Sequence, residues 1–274
     1  MDMGVQGFNT KTTIDPASTR SLATLVESLG YRSWWASEHV VLPSPRVDPS
    51  PADPTEPLLD PLVHLSYVAA VTSRLELGTG ILILPQRNPL VLAKQAASLD
   101  VLSGGRFVLG VGAGYLEPEL SAVGVPLADR GGRTDEYLDA MNALWHSPAP
   151  SFSGKYVSFS GVDAHPRPSG IRVVVGGHSA GALKRAVSRG HGWLGIGSPA
   201  DIAGHLDRLR ALSSTVERPA SLGPLEINAI PLTSLDASLV RQYEDLGVSQ
   251  LVINPPMIPG SVEEVLESNA GFIG

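Results

Sequence analysis

The sequence predicts a (β/α)8 (TIM) barrel, one domain over residues 1–274, with extended loops on the carboxyl face of its strands. Three observations carry this. Strand-like and helix-like segments alternate from end to end, eight of each. Most strand segments lack polar alternation, as parallel strands covered on both faces do. The 274 residues, 43% of them hydrophobic, lie near the roughly 250 of such a barrel and can fill both its interior and its helical coat.

Taken in order, the chain opens with an apolar strand at 3–8, and Asp15-Pro16 then starts a helix whose Leu22, Leu25, Val26 and Leu29 share one face. At such a start the capping side chain accepts from orphan N–H groups, while proline loses nothing at the first helical position. Asp60-Pro61, Asn88-Pro89 and Ser198-Pro199 repeat the signal. The second strand, Ser33–Ala36, is followed by 41–60, which holds six prolines in twenty residues. The third, 75–83, contains Gly78-Thr79-Gly80, where the backbone is expected to bulge or to lie against a ligand. Leu92, Ala96 and Leu99 mark the next helix; the fourth strand, 107–111, runs into Gly112-Ala113-Gly114. Leu138, Met141 and Trp145 mark a further helix before 147–170, a stretch mixing Pro, Ser and Gly. Both 41–60 and 147–170 are longer than a normal connection and are expected to cover substrate. The fifth strand, 171–175, ends in Gly176-Gly177-His178-Ser179, and Ala182, Leu183, Ala186 and Val187 form the apolar face of the helix behind it. Strands Gly192–Ile196, 225–230 and Gln250–Ile253 complete the set, with Ile202, Leu206 and Leu209 on a helix between the first two.

Composition excludes several classes. A net charge of −7 without a Lys/Arg run disfavours nucleic acid or an anionic membrane as partner and favours a small-molecule substrate. With no cysteine there is no disulfide, thiolate catalyst or Cys-ligated zinc. The start MDMGVQGFNTKTT lacks a signal-peptide pattern and no apolar run can span a bilayer, so a cytoplasmic location is expected. Lys11, Lys94, Lys155 and Lys184 all lie away from strand ends, which removes a Schiff-base aldolase, and the seven histidines form no HxH or HExxH, so no metal is expected.

Chemistry therefore concentrates at strand ends. Glu38 and His39 follow the second strand: a histidine titrates near neutrality, and a neighbouring carboxylate can orient it for acid–base work, the alternative being a packing or capping histidine. Small residues at Gly78-Thr79-Gly80, Gly110–Gly114 and Gly176–Ser179 let backbone N–H groups approach a flat ring or a phosphate, which points to a large cofactor. At Gly176, Gly177, His178 and Ser179 a strand gives way to a helix amino terminus, a ready anion site, to which Ser179 adds a hydroxyl.

Over almost its whole length the chain resembles the bacterial luciferase-like monooxygenase superfamily, and within it the branch that uses the deazaflavin coenzyme F420. The resemblance rests on LGYRSWWASEHVVLP (29–43), RLELGTGILILPQRNPLVLAKQAASLDVLSGGRFVLGVGAGY (74–115) and VVVGGHSAGALKRAVSRGHGW (173–193). It implies a barrel, usually homodimeric, with the flavin-like ring in its mouth. It implies a proton-handling role for Glu38 and His39, and a non-prolyl cis peptide at Gly80-Ile81 behind the ring. Gly112, Ala113 and Gly114 would line the ring edge, and the Gly177, His178 and Ser179 amides would take the cofactor phosphate. One departure stands out: sugar-phosphate dehydrogenases of this branch carry a glutamate where this chain has Tyr115, and Glu117 and Glu119 are out of register with it. A phenol at Tyr115 can still hydrogen-bond a carbonyl or donate a proton.

The expectation is an oxidoreductase transferring hydride between F420 and a small alcohol, enone or imine, with His39 managing the proton aided by Glu38 or Tyr115. An FMN-dependent monooxygenase is the near alternative. Lack of an evident basic patch for a polyglutamate tail favours FMN; the acid–histidine pair and an Arg-over-Lys excess of 16 to 4 favour F420. From other classes, a non-catalytic flavin-binding barrel and a phosphate-binding isomerase or lyase stay open.

Overall fold

The computed structural model describes residues 1–274, the side chain of Thr12 aside. The first half runs β1 (Asp2–Gln6), α1 (Pro16–Ser28), β2 (Ser33–Ala36), α2 (Pro61–Val71), β3 (Glu76–Thr79), β4 (Leu82–Ile83), α3 (Pro89–Ser103) and β5 (Phe107–Gly112). Then come α4 (Glu117–Ala122), α5 (Arg130–His146), β6 (Phe152–Ser153), β7 (Ser158–Phe159), β8 (Arg172–Gly176) and α6 (Ala180–Arg189). The chain ends with β9 (Gly192–Ile196), α7 (Pro199–Ser213), β10 (Glu226–Ile230), α8 (Ala237–Asp245), β11 (Gln250–Ile253) and α9 (Val262–Ala270).

All pairings in the main sheet are parallel, and they close: β1 lies between β2 and β11, while β3 joins both β2 and β5. The result is a closed eight-stranded (β/α)8 barrel, its third position shared by β3 and β4. The predicted strand 75–83 is thus present but interrupted at Gly80-Ile81, whose peptide bond is cis. The predicted caps form: Asp15 accepts from Ala17 and Ser18 N, Asp60 from Leu62 and Val63 N, and Asn88 from Leu90 and Val91 N. Ser198 makes a reciprocal capping box with Asp201. The one α-helix beyond the expected eight is the short α4, inserted between β5 and α5.

Two hydrophobic layers follow from strands buried on both faces. Between sheet and helices lies the larger core, which includes Trp34, Leu77, Leu109, Val175 and Trp193. Inside the barrel, Trp35, Val108, Val174, Leu194, Ile230 and Val252 meet Ile81. Arg32 and Arg172 close the amino-terminal end with Asp2, Glu76 and Glu226. The open end is therefore the carboxyl one.

Of the two long segments, only 41–60 leaves the carboxyl end of a strand. The expectation for 147–170 is corrected, because it joins α5 to β8 and so enters the barrel from the amino-terminal side. Its β6–β7 hairpin lies along α5, where the Glu136 carboxylate accepts from the backbone N–H groups of Lys155, Tyr156 and Val157. Neither segment supplies a residue to the wall of the cavity described next.

Candidate active site

A cavity of about 740 Å³ opens at the carboxyl ends of the strands. Glu38, His39, Gly80, Ile81, Gly112, Ala113, Gly114, Tyr115, Gly176, Gly177, His178 and Ser179 all line it. Residues from four connections, up to 141 positions apart, thus share one wall, as active-site loops of a barrel do.

His39 is oriented by an unexpected partner. Its Nδ1 lies 2.7 Å from Glu119 Oε2, and the other Glu119 oxygen accepts from Val40 N, also at 2.7 Å. The Glu119 side chain is fully buried while His39 keeps 15% exposure, and no partner is found for His39 Nε2 among the described residues. The Tyr115 ring stands edge-on to the imidazole, centroids 6.1 Å apart. Burial, and after it the Glu119 charge, push the Tyr115 phenol up, so it keeps its proton at neutral pH.

Glu38 does not orient His39, which corrects the expected acid–histidine pair. Consecutive residues leaving a strand project to opposite sides. The buried Glu38 carboxylate accepts from Ile83 N at 2.5 Å and from Arg87 Nε at 2.8 Å, and Arg87 Nη2 contacts Glu38 as well as Asp60 Oδ2. Burial pushes its carboxyl up against the pull of the Arg87 guanidinium and the Ile83 N–H. Its geometry is that of a brace holding β4 to the end of β2.

The glycines also have a more specific cause than ligand approach. A Cβ on Gly112 would stand 2.9 Å from Ile81 Cγ2, and one on Gly176 would stand 2.6 Å from Ile81 Cγ1. Ile81 therefore occupies the room these positions leave, and its side chain, not bare main chain, forms that part of the cavity floor. Gly78 in turn yields to the Trp35 indole. Gly177 is different: at φ +107 only glycine is comfortable, and Trp193 Nε1 donates to its carbonyl at 2.9 Å.

That turn leads into α6, where Ser179 Oγ accepts from Ala182 N, and Ser179, Gly181 and Ala182 of this helix start line the cavity. Arg185, 4% exposed, lines the same cavity. Its Nε donates to Asp135 Oδ1 and its Nη2 to Gly131 O, which leaves Nη1 to spare. Arg130 lines the cavity too, donating to Gly114 O and Leu127 O. Two guanidiniums and a helix amino terminus lining one cavity suit a phosphate. His178 contributes backbone only: its Nε2 accepts from Ile196 N at 3.0 Å and its ring stacks on His205 at 4.3 Å. Burial first, then the charges of His205 and Arg208, push it down, so it is neutral at pH 7. Among the described residues no group of three or more His, Asp or Glu could hold a metal, and no helix is long and apolar enough to cross a membrane.

Fold and cavity define a (β/α)8 barrel with a pocket at its strand carboxyl ends, whose lining combines an oriented imidazole with a helix start and two guanidiniums. The chain belongs to the luciferase-like monooxygenase family, whose model matches residues 2–235. An uncharacterized protein of Mycobacterium tuberculosis is 32% identical over 267 residues, covering 93% of this chain and 92% of that one. A monooxygenase from Streptomyces bottropensis superposes with a TM-score of 0.78 at 20% identity, over 99% of this chain and 98% of the other. A coenzyme F420-dependent tetrahydromethanopterin reductase from Methanopyrus kandleri gives 0.76 at 18%, with the same coverage. Family members are oxidoreductases and monooxygenases, with F420-dependent and flavin-dependent examples among the neighbours.

Proposed function

We propose that this chain is an oxidoreductase that holds coenzyme F420 in the barrel mouth and moves hydride between it and a small neutral alcohol, enone or imine. The observation that carries the reading is the pairing, in one cavity, of an oriented His39 with a helix amino terminus and two arginines. The residues fit such a cofactor: about 740 Å³ is room for a ring system and side arm. The α6 amides with Arg185 and Arg130 would hold the phosphate; Ile81 and Ile83 would lie beneath the ring.

When bound, F420 supplies two-electron hydride chemistry. This chain's part is to position, to exclude water and to handle the proton. His39 Nε2 takes a proton from a substrate hydroxyl, or gives one to the oxygen or nitrogen being reduced, and the Tyr115 phenol hydrogen-bonds the same atom. The cavity wall also carries the large apolar side chains of Ile81, Ile83, Leu194, Ile196 and Ile230. This matches a neutral substrate.

A second reading, an FMN-dependent monooxygenase, is favoured by the same two arginines, since FMN carries a dianionic monophosphate. Titrating the purified protein separately with oxidised F420 and with FMN, followed by fluorescence, distinguishes them. Submicromolar binding of F420 is expected. Tight FMN binding with none of F420 would overturn the cofactor assignment, and binding of neither would overturn the oxidoreductase reading.

A further inference from the structure

We propose that Glu119 is a positioning residue that sets the tautomer of His39 and thereby makes Nε2 the nitrogen at which the ring exchanges protons with the cavity. This rests on the reading of His39 as proton carrier. The two Glu119 oxygens have separate tasks, one on Val40 N and one on His39 Nδ1, each at 2.7 Å. Val40 N is a backbone donor and cannot reverse. A carboxylate only accepts, so Nδ1 must carry the ring hydrogen. Nε2 then holds a lone pair when the ring is neutral and an N–H when it is protonated. Glu38 does not share this task, because its carboxylate is directed away from His39 at Ile83 N and the Arg87 guanidinium.

The arrangement makes a sharp expectation for Glu119→Gln. Val40 N still donates, so the amide oxygen stays with it and the amide NH2 turns toward Nδ1. Nδ1 must then accept, and the hydrogen moves to Nε2. The substitution keeps the shape of the site but presents the wrong nitrogen.

Long-range 15N–1H NMR on histidine-labelled protein without cofactor tests this, with His39 assigned by the signals lost in His39→Ala. Neutral wild-type His39 should carry its hydrogen on Nδ1, and Glu119→Gln should carry it on Nε2. Turnover should fall about 10²-fold or more, with KM and cofactor Kd within about threefold. An Nε2–H tautomer in the wild type overturns the proposal, as does an unreversed tautomer in Glu119→Gln, or a reversed one at undiminished turnover. Were Glu119→Gln not to fold, the wild-type spectrum still decides the tautomer. Failure of the protein to bind either cofactor would strike the oxidoreductase reading alone, since the spectrum needs no cofactor.

Discussion

Ile81 stands in the space that a side chain on Gly176 would need, its Cγ1 2.6 Å from where a Cβ would lie. Gly112, on the neighbouring β5, yields to the same isoleucine. Overpacking of this kind costs about 1–3 kcal/mol. Gly176→Ala should therefore destabilise by that order and displace Ile81 into the cavity, weakening cofactor binding. Adding Ile81→Ala removes the opposing atoms, so the double variant should be more stable than the sum of the two single losses predicts. Urea unfolding of the four proteins checks it; strict additivity would show that the two positions do not meet.

Glu38 is predicted to matter for stability rather than for proton transfer. Removing one partner of a buried ion pair costs about 3–5 kcal/mol, because the other charge is left behind. Asp60 still faces Arg87 in Glu38→Ala, so the lower part of that range is expected, together with an unchanged His39 tautomer. A loss under about 1 kcal/mol in denaturant unfolding would contradict the bracing role.

A pH effect follows from His64. The ring is buried on α2, its Nε2 accepts from Trp34 Nε1 at 3.1 Å, and burial pushes its pKa from 6.5 down to about 4. Between those values the unfolded chain binds the proton and the folded one does not. Stability from this group is thus complete above pH 6.5 and is lost progressively as pH falls toward about 4, by about 3 kcal/mol in all. His64→Gln keeps an acceptor for Trp34 but does not titrate. Its unfolding free energy should fall less steeply than the wild type's from pH 6.5 to 4.5, and parallel curves would rule the effect out.

Much of this fold was legible because its signals are local. A capping residue before proline, or an apolar run ending in glycine, needs no knowledge of what lies opposite. Part of the cavity wall was legible for the same reason, at the four strand ends around Glu38-His39, Gly80-Ile81, 112–115 and 176–179, whereas Gln6, Ile196 and Ile230 end strands that carried no such signal. What escaped were partners set by the closing of the barrel. Glu119 reaches His39 across 80 positions from a six-residue helix too short to show a periodicity. Glu38, next to His39 in sequence, faces the other way. Arg185 did leave a trace: it lies three residues after Ala182 and one before Ala186, on the apolar arc of α6, where a charged side chain needs a reason.

That reason gives the last prediction. Arg185 is buried, held through Nε by Asp135 at 2.8 Å and through Nη2 by Gly131 O at 3.0 Å, and these contacts leave Nη1 for a ligand. If Nη1 grips a cofactor phosphate, its loss must be felt by phosphate-bearing ligands and not by the ring alone. A hydrogen bond to a charged group contributes about 1.5–3 kcal/mol, or roughly 10- to 150-fold in affinity. Arg185→Met should weaken FMN by that factor while leaving riboflavin nearly unchanged, and F420 should behave like FMN against its phosphate-free deazaflavin. Since Met also abandons Asp135 and Gly131, thermal unfolding is measured beside each titration. Equal losses for the phosphorylated and phosphate-free ligands would mean that Arg185 shapes the site through α5 instead of touching the phosphate.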